Sequence, residues 1–305
     1  PRSTLFPYTT LFRSEPLAVR SSSLLEDSPD QPFSGVFATY MLPNNHPEIA
    51  RRLAQLSRAI KLVFASTWSR GAIRYLRATG NAPGEERMGV VLQELVGARH
   101  GDLFYPSLSG VAQTHNFYPL GYIRPADGAA TVALGLGKTV VEGGNALRFC
   151  PRHPLVLPQL ADLDRVLDAT QRDFWALDLS DPDVEPLPGR TAPLVQVGLE
   201  RAEQDGVLAE LASVLCWDDA RLRDGLSASG PRVLTLAPIL KWSLFPLAAL
   251  LDRLLPLIRH AMAGPAEIEF AALLGEPAAG REPEFHLLQV RPLTAAEALE
   301  PVDLD

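Results

Sequence analysis

Toward the C-terminal end of the chain, Glu267-Ile268-Glu269-Phe270 is followed by Phe285-His286-Leu287-Leu288-Gln289-Val290-Arg291-Pro292. Side chains alternate between the faces of a strand. Read as strands, these stretches put Glu267 and Glu269 on one face, and Gln289 and Arg291 on one face. Two acids, an amide and an arginine on neighbouring strands can hold a metal–triphosphate. The acids and the amide oxygen suit Mg²⁺, and a guanidinium suits phosphate oxygens. Far upstream, Leu17-Ala18-Val19-Arg20-Ser21-Ser22 ends an apolar run in an arginine and two hydroxyls, a second potential phosphate contact.

Each of these residues has a bland reading of its own. A lone arginine is more often a surface salt-bridge partner, and a pair of strand acids is more often a solvated face. Their joint pattern is what points to nucleotide chemistry. Gly135-Leu136-Gly137-Lys138-Thr139 ends in Gly-Lys-Thr, but Val132 stands where a P-loop needs its first glycine. Gly135 and Gly137 can either bend the backbone beside phosphates or serve a turn that needs positive φ. Six histidines are scattered singly, with no metal-ligand spacing. Cys150 lies between Arg148 and Arg152, yet a passive thiol is the simpler reading.

The elements that must position these residues are mixed, so the fold class is α+β. Strands are expected at 17–20, 33–40, 88–96, 110–112, 129–136 and 195–199. A long helical region is expected over 47–78, where Ile49, Leu53, Leu56, Ile60 and Phe64 recur at helical spacing. A second helix is expected over 244–262, with Pro246 tolerated near its start. Residues 135–144 form a glycine-rich turn, and proline-rich 181–193 a linker or long loop. No repeat of fixed period is present.

With 305 residues, the chain can hold one large domain or two of ordinary size. A net charge of −8 argues against general nucleic-acid binding, which needs a basic surface, but leaves room for a local nucleotide site. The most apolar stretch, 242–262, is interrupted by Pro246, Asp252, Arg253, Pro256 and Arg259, so no membrane span is expected. Two cysteines at distant positions make no disulfide framework and point to a reducing cytoplasm. Residues 1–14 do not share the patterning of the rest and look like a non-native tail. Residues 15–305 then form the functional unit, expected to lack part of its native N-terminus.

Leu17-Ala18-Val19-Arg20-Ser21-Ser22-Ser23-Leu24-Leu25-Glu26-Asp27 and Phe33-Ser34-Gly35 resemble the start of the nucleotide-binding domain of the phosphoenolpyruvate synthase and pyruvate phosphate dikinase family. That family carries Val-Arg-Ser-Ser, then Glu-Asp, then Phe-Ala-Gly. Further matches follow in the family's order: Val91-Leu92-Gln93-Glu94-Leu95-Val96, Ser109-Gly110-Val111-Ala112, Gly135-Leu136-Gly137 with Val140-Val141-Glu142-Gly143, and Leu288-Gln289-Val290-Arg291-Pro292.

The resemblance implies an ATP-grasp fold, in which two lobes (here two subdomains) clamp ATP. It implies that Arg20 and Arg291 contact phosphates, and that Glu269 and Gln289 hold Mg²⁺ with Glu267 close by. It further implies that Gln93, Glu94 and Val96 lie beside adenine, and that Gly135 and Gly137 flank the nucleotide. The implied reaction moves a phosphoryl group from Mg·ATP to a histidine on a separate carrier domain, for delivery to pyruvate in a barrel domain. Neither the carrier nor the barrel lies in this chain. The family's Gly-Gly-Lys segment has no counterpart before Arg20, and Lys138 stands where the family usually has Glu. The alternative expectation is a non-catalytic ATP-binding regulatory module of a larger protein.

Overall fold

The computed structural model describes residues 14–23, 35–80, 87–189, 193–275 and 280–293. It opens with β1 (Leu17–Ser23), β2 (Tyr40–Leu42) and the helices α1 (Ile49–Ser66) and α2 (Arg70–Ala78). Next come β3 (Met88–Glu94), β4 (Ala98–His100), β5 (Leu103–Tyr105), β6 (Leu108–Gln113), β7 (Ala129–Ala133), α3 (Lys138–Val141) and β8 (Leu147–Phe149). They are followed by α4 (Val166–Ala169), β9 (Asp173–Asp178), β10 (Leu194–Gly198), α5 (Leu199–Gln204) and β11 (Ala212–Cys216). The chain closes with β12 (Arg221–Asp224), β13 (Arg232–Leu234), α6 (Ala237–Leu240), α7 (Leu247–Ala261), β14 (Ala266–Leu273) and β15 (Glu284–Pro292).

The strands form four antiparallel sheets, in the orders β2-β1-β3, β10-β9-β5-β4, β12-β11-β13 and β15-β14-β6-β7-β8. This mixture of helix and strand is α+β. No helix among the described residues is long and apolar enough to cross a membrane.

The alternation in β1 explains the first sheet. Leu17 and Val19 are buried with Leu56, Ala59 and Val63 of α1. Ala18, Arg20 and Ser22 take the other face. Partner β3 repeats the division: Val90 and Leu92 pack on the α1 side, while Val91 and Gln93 face away. A larger core lies under the five-stranded sheet. It joins Leu108, Ala112, Val132, Ile268 and Phe270 to Leu247, Leu251 and Leu255 of α7. Those leucines recur every four residues, and exposed Pro256 leaves this stripe intact.

Several expectations need correcting. The long helical region is two helices, because Ser69 caps the second by accepting a hydrogen bond from the Ala72 N–H at 3.1 Å. The apolar stripe is not the buried face. Ile49, Leu53 and Phe64 are 40%, 52% and 46% exposed, and only Leu56 of the five is buried. Arg52, Gln55, Leu56, Ala59 and Val63 face inward instead. The reason is polar: Gln55 Nε2 donates to the carbonyls of Pro182 and Val184, and Arg58 Nε to that of Pro186. The 181–189 loop is thereby laid along α1. The expected strand at 33–40 is also not formed over 35–39. Gly35 adopts φ +77°, and Phe37 packs on Ala72 and Leu76 of α2 instead of alternating across a sheet. Phe33, Ser34, 24–27 and the tail up to residue 13 lie outside the described residues.

Gly110 shows why the Ser-Gly-Val-Ala stretch needs its glycine. A Cβ there would sit 2.6 Å from the Phe270 ring and 2.8 Å from the Thr131 carbonyl oxygen. Both neighbours are in adjacent strands and cannot yield without moving the sheet. We expect Gly110→Ala to destabilise the chain by about 1–3 kcal/mol, the usual scale of core overpacking. Chemical denaturation checks this, and an unchanged midpoint would refute it.

Candidate functional site

A cavity of about 470 Å³ opens between the β1–β3 sheet and the β6–β14–β15 part of the five-stranded sheet. That volume lies within the range of small-molecule sites. Ala18, Arg20 and Ser22 of β1 line it, as their shared strand face requires. Ala18 is in register with Met41 on one side and Gln93 on the other. Met41, Leu95, Leu136 and Leu194 add apolar wall. Arg20 lies two residues further along β1, about 7 Å away by strand geometry. The lining therefore changes from apolar to charged along one strand.

The opposite wall is built from two cross-strand rows. In the first, Val111 of β6 pairs with Glu269 of β14, which pairs with Gln289 of β15. In the second, Gln113 pairs with Glu267, which pairs with Arg291. The second row is hydrogen-bonded throughout. Gln113 Nε2 donates to Glu267 Oε2 at 2.8 Å, and Arg291 Nε donates to Glu267 Oε1 at 2.8 Å. Glu267 is only 5% exposed, so these donors satisfy a carboxylate that would be costly to bury alone. A register shift between Glu269 and Phe270 leaves Leu288 as the extra residue of β15, and it faces the cavity.

One contact joins the two walls. Arg20 Nη2 donates to Glu269 Oε2 at 3.0 Å and to Gln289 Oε1 at 2.6 Å. The partners are 249 and 269 residues away in sequence. Arg20 and Glu269 side chains are 26% and 21% exposed, so water still screens the pair.

The glycine-rich turn forms a third wall. Ser109 Oγ donates to the Gly135 carbonyl, and the Leu136 N–H donates to the Trp175 carbonyl at 2.8 Å. The turn is thus pinned from both sides. Gly135 has φ +83°, and a Cβ there would meet the Trp175 carbonyl oxygen at 2.6 Å. It serves the turn and does not line the cavity. Gly137 does line it, with φ −60° and nothing nearer its Cβ position than Ser109 at 3.8 Å. The fold does not require a glycine there. The space its missing side chain leaves opens on the cavity. The expected glycine-rich turn also contains the short helix α3.

Of the residues singled out from sequence, Arg20, Gln93, Glu94, Val96, Gly137, Glu269, Gln289 and Arg291 line one cavity. Glu267 sits behind the lining as the buried support of Arg291, and Gly135 behind the turn. Gln113 was missed; two positions beyond Val111 on the same strand face, it was accessible to the same alternation argument. The apolar wall was missed because Met41, Leu136 and Leu194 come from separate elements with no common motif. Cys150 is buried, and burial pushes its thiol above the ordinary range, as suits a passive residue.

Among the described residues, no group of three His, Cys, Asp or Glu side chains is placed to hold a metal ion. Glu269 and Gln289 do present a carboxylate oxygen and an amide oxygen to one point, since one arginine nitrogen reaches both. Mg²⁺ is commonly held by one or two carboxylates, several waters and substrate phosphates. The pair fits Mg²⁺ when a phosphate-bearing ligand supplies the remaining oxygens.

The family model described as the pyruvate phosphate dikinase AMP/ATP-binding domain matches residues 8–303, and the chain belongs to that family. A rifampicin phosphotransferase from Streptomyces sviceus is 32% identical over 166 residues. That match covers 52% of this chain and 16% of the relative, so the chain corresponds to a small part of that protein.

The two glycines of the turn should respond in opposite ways. Gly135→Ala combines a left-handed backbone with a carbonyl clash and is expected to cost about 1–3 kcal/mol. Gly137→Ala is expected to leave stability within about 0.5 kcal/mol, or to raise it slightly by reducing unfolded-chain freedom. Thermal melts of both variants test the contrast; equal losses would contradict it.

Proposed function

With membership of that family as the premise, we propose that this chain is the ATP-binding part of a phosphotransferase. In this reading, residues 15–305 form two lobes of an ATP-grasp fold that close on Mg·ATP in the cavity. The carrying observation is the meeting of Arg20 with Glu269 and Gln289 across the cavity. These are the groups a metal–triphosphate needs, brought together from opposite ends of the chain.

Met41, Leu95 and Leu136 supply an apolar slot for adenine, with Gln93, Glu94 and Val96 along its edge. The phosphates then run toward Arg20 and past Gly137, whose missing side chain allows close approach. Without ligand, the Arg20 guanidinium neutralises Glu269. With ligand, it turns to phosphate oxygens and leaves Glu269 and Gln289 to the cation. The swap leaves no charge uncompensated, because anion and cation arrive together. Mg²⁺, held by Glu269 and Gln289, would offset the charge that builds on the phosphate oxygens. Arg291, held by buried Glu267, offers a second guanidinium whose direction is already set.

Phosphoryl transfer passes through a loose transition state, so positioning and positive charge matter more than covalent help. We place the acceptor on a histidine of a separate carrier domain: one phosphoryl group goes to that histidine and the other to water, so AMP and inorganic phosphate are released, and pyruvate in a barrel domain is the final acceptor of the carried group. The likeness to a rifampicin phosphotransferase favours a second reading, in which rifampicin is the final acceptor. By analogy with removing one oxyanion donor, losing Arg20 should cost about 2–4 kcal/mol of transition-state stabilisation.

Calorimetry of Mg·ATP with the wild-type chain, Arg20→Ala and Gly137→Ala tests the proposal. We expect binding by the wild type that weakens about tenfold or more in each variant, and that falls when Mg²⁺ is chelated. A folded wild-type chain that binds no Mg·ATP would sink the reading. Binding by a full-length parent that transfers no phosphoryl group would point instead to a regulatory module.

A further inference from the structure

The cavity lining carries three cations, Arg20, Lys138 and Arg291, and three carboxylates, Glu94, Glu142 and Glu269. A triphosphate entering so balanced a site must take cations away from existing partners. Which cation moves depends on what its release leaves behind. Releasing Arg291 leaves Glu267, whose side chain is 6% exposed, with one fewer donor in a low-dielectric setting. Releasing Arg20 leaves Glu269, 21% exposed, in need of the incoming metal. Lys138 is paired with Glu142, the residue that ends α3, and that carboxylate is 57% exposed. Water solvates it as soon as the lysine departs, so this exchange is the easiest of the three.

Position favours the same residue. Lys138 directly follows Gly137, the residue whose missing side chain opens on the cavity. Its ammonium lies 4.8 Å from the centre of the Trp175 ring, and its side chain is 19% exposed. The tryptophan limits where the stem can lie, while the ammonium keeps its rotatable donors.

Resting on the nucleotide reading above, we infer that Lys138 is a ligand-binding residue of this site, a phosphate-contacting lysine that leaves Glu142 for the polyphosphate of the bound nucleotide. Arg291 is then the fixed cation, and Lys138 exchanges partners more readily than Arg20, whose release waits on the incoming metal. Lys138 contributes to recognition of the polyphosphate and not of the nucleoside.

Calorimetry of the 305-residue chain with Mg·ATP and with adenosine separates these roles. Lys138→Gln is expected to weaken Mg·ATP about tenfold and to leave adenosine unchanged. Lys138→Arg should retain most of the Mg·ATP affinity. Glu142→Gln, which removes the competing carboxylate, should tighten Mg·ATP up to about twofold. Unchanged Mg·ATP binding by Lys138→Gln, an equal loss for adenosine, or weaker Mg·ATP binding by Glu142→Gln would each overturn the assignment of Lys138 and leave the nucleotide reading standing. A wild-type chain that binds neither ligand would overturn both.

Discussion

The Arg20 guanidinium is the polar tie on which the site depends. It leaves the first sheet near one end of the chain and meets Glu269 and Gln289 on strands near the other end. A half-buried guanidinium needs oxygen acceptors, and a half-buried carboxylate needs a donor. Each wall therefore satisfies a group that the other would leave exposed to a poor environment. The strength of the tie is limited by the water that still reaches it. That suits the proposed function, in which the contact gives way to a ligand of the same charge pattern.

Behind this tie, the charges are graded by burial. Glu267 is sealed in with Gln113 and Arg291, so its row acts as part of the sheet. Glu269 is half open, and Glu142 lies on the surface. The same ion-pair chemistry thus serves three purposes, because the cost of separating a pair rises as water is excluded. In the proposed site, the support of Arg291, the oxygens for a metal and the exchange of Lys138 all follow from this one gradient.

Packing explains why the rows align at all. Gly110 lets Phe270 close over β6, and this contact sets β14 against β6 in the register that puts Glu267 opposite Gln113 and Glu269 opposite Val111. Ser109, one residue earlier, anchors the Gly135 turn. A four-residue motif in the middle of the chain therefore holds two walls of the cavity in relation to each other.

Much of this was legible in the residues alone. Period-two alternation was enough to put Glu267 with Glu269, Gln289 with Arg291, and Arg20 at the end of an apolar strand, because side-chain direction along a strand is a local property. The motifs and their order pointed to the family to which the chain belongs. Local pattern misjudged α1, where buried Arg52 and Gln55 displaced Ile49, Leu53 and Phe64 from the inward face. Gln55 is held by loop carbonyls more than a hundred residues away and Arg52 by the Ser14 hydroxyl, partners which no helical period can register. Tertiary structure alone decided that Arg20 shares its charge with Glu269 and Gln289, that Glu267 is buried where it braces Arg291, that Gly135 serves the turn while Gly137 opens on the cavity, and that Met41, Leu136 and Leu194 share one wall. These relations depend on how sheets pack face to face, and packing is a property of surfaces assembled from distant segments, not of any one segment's sequence.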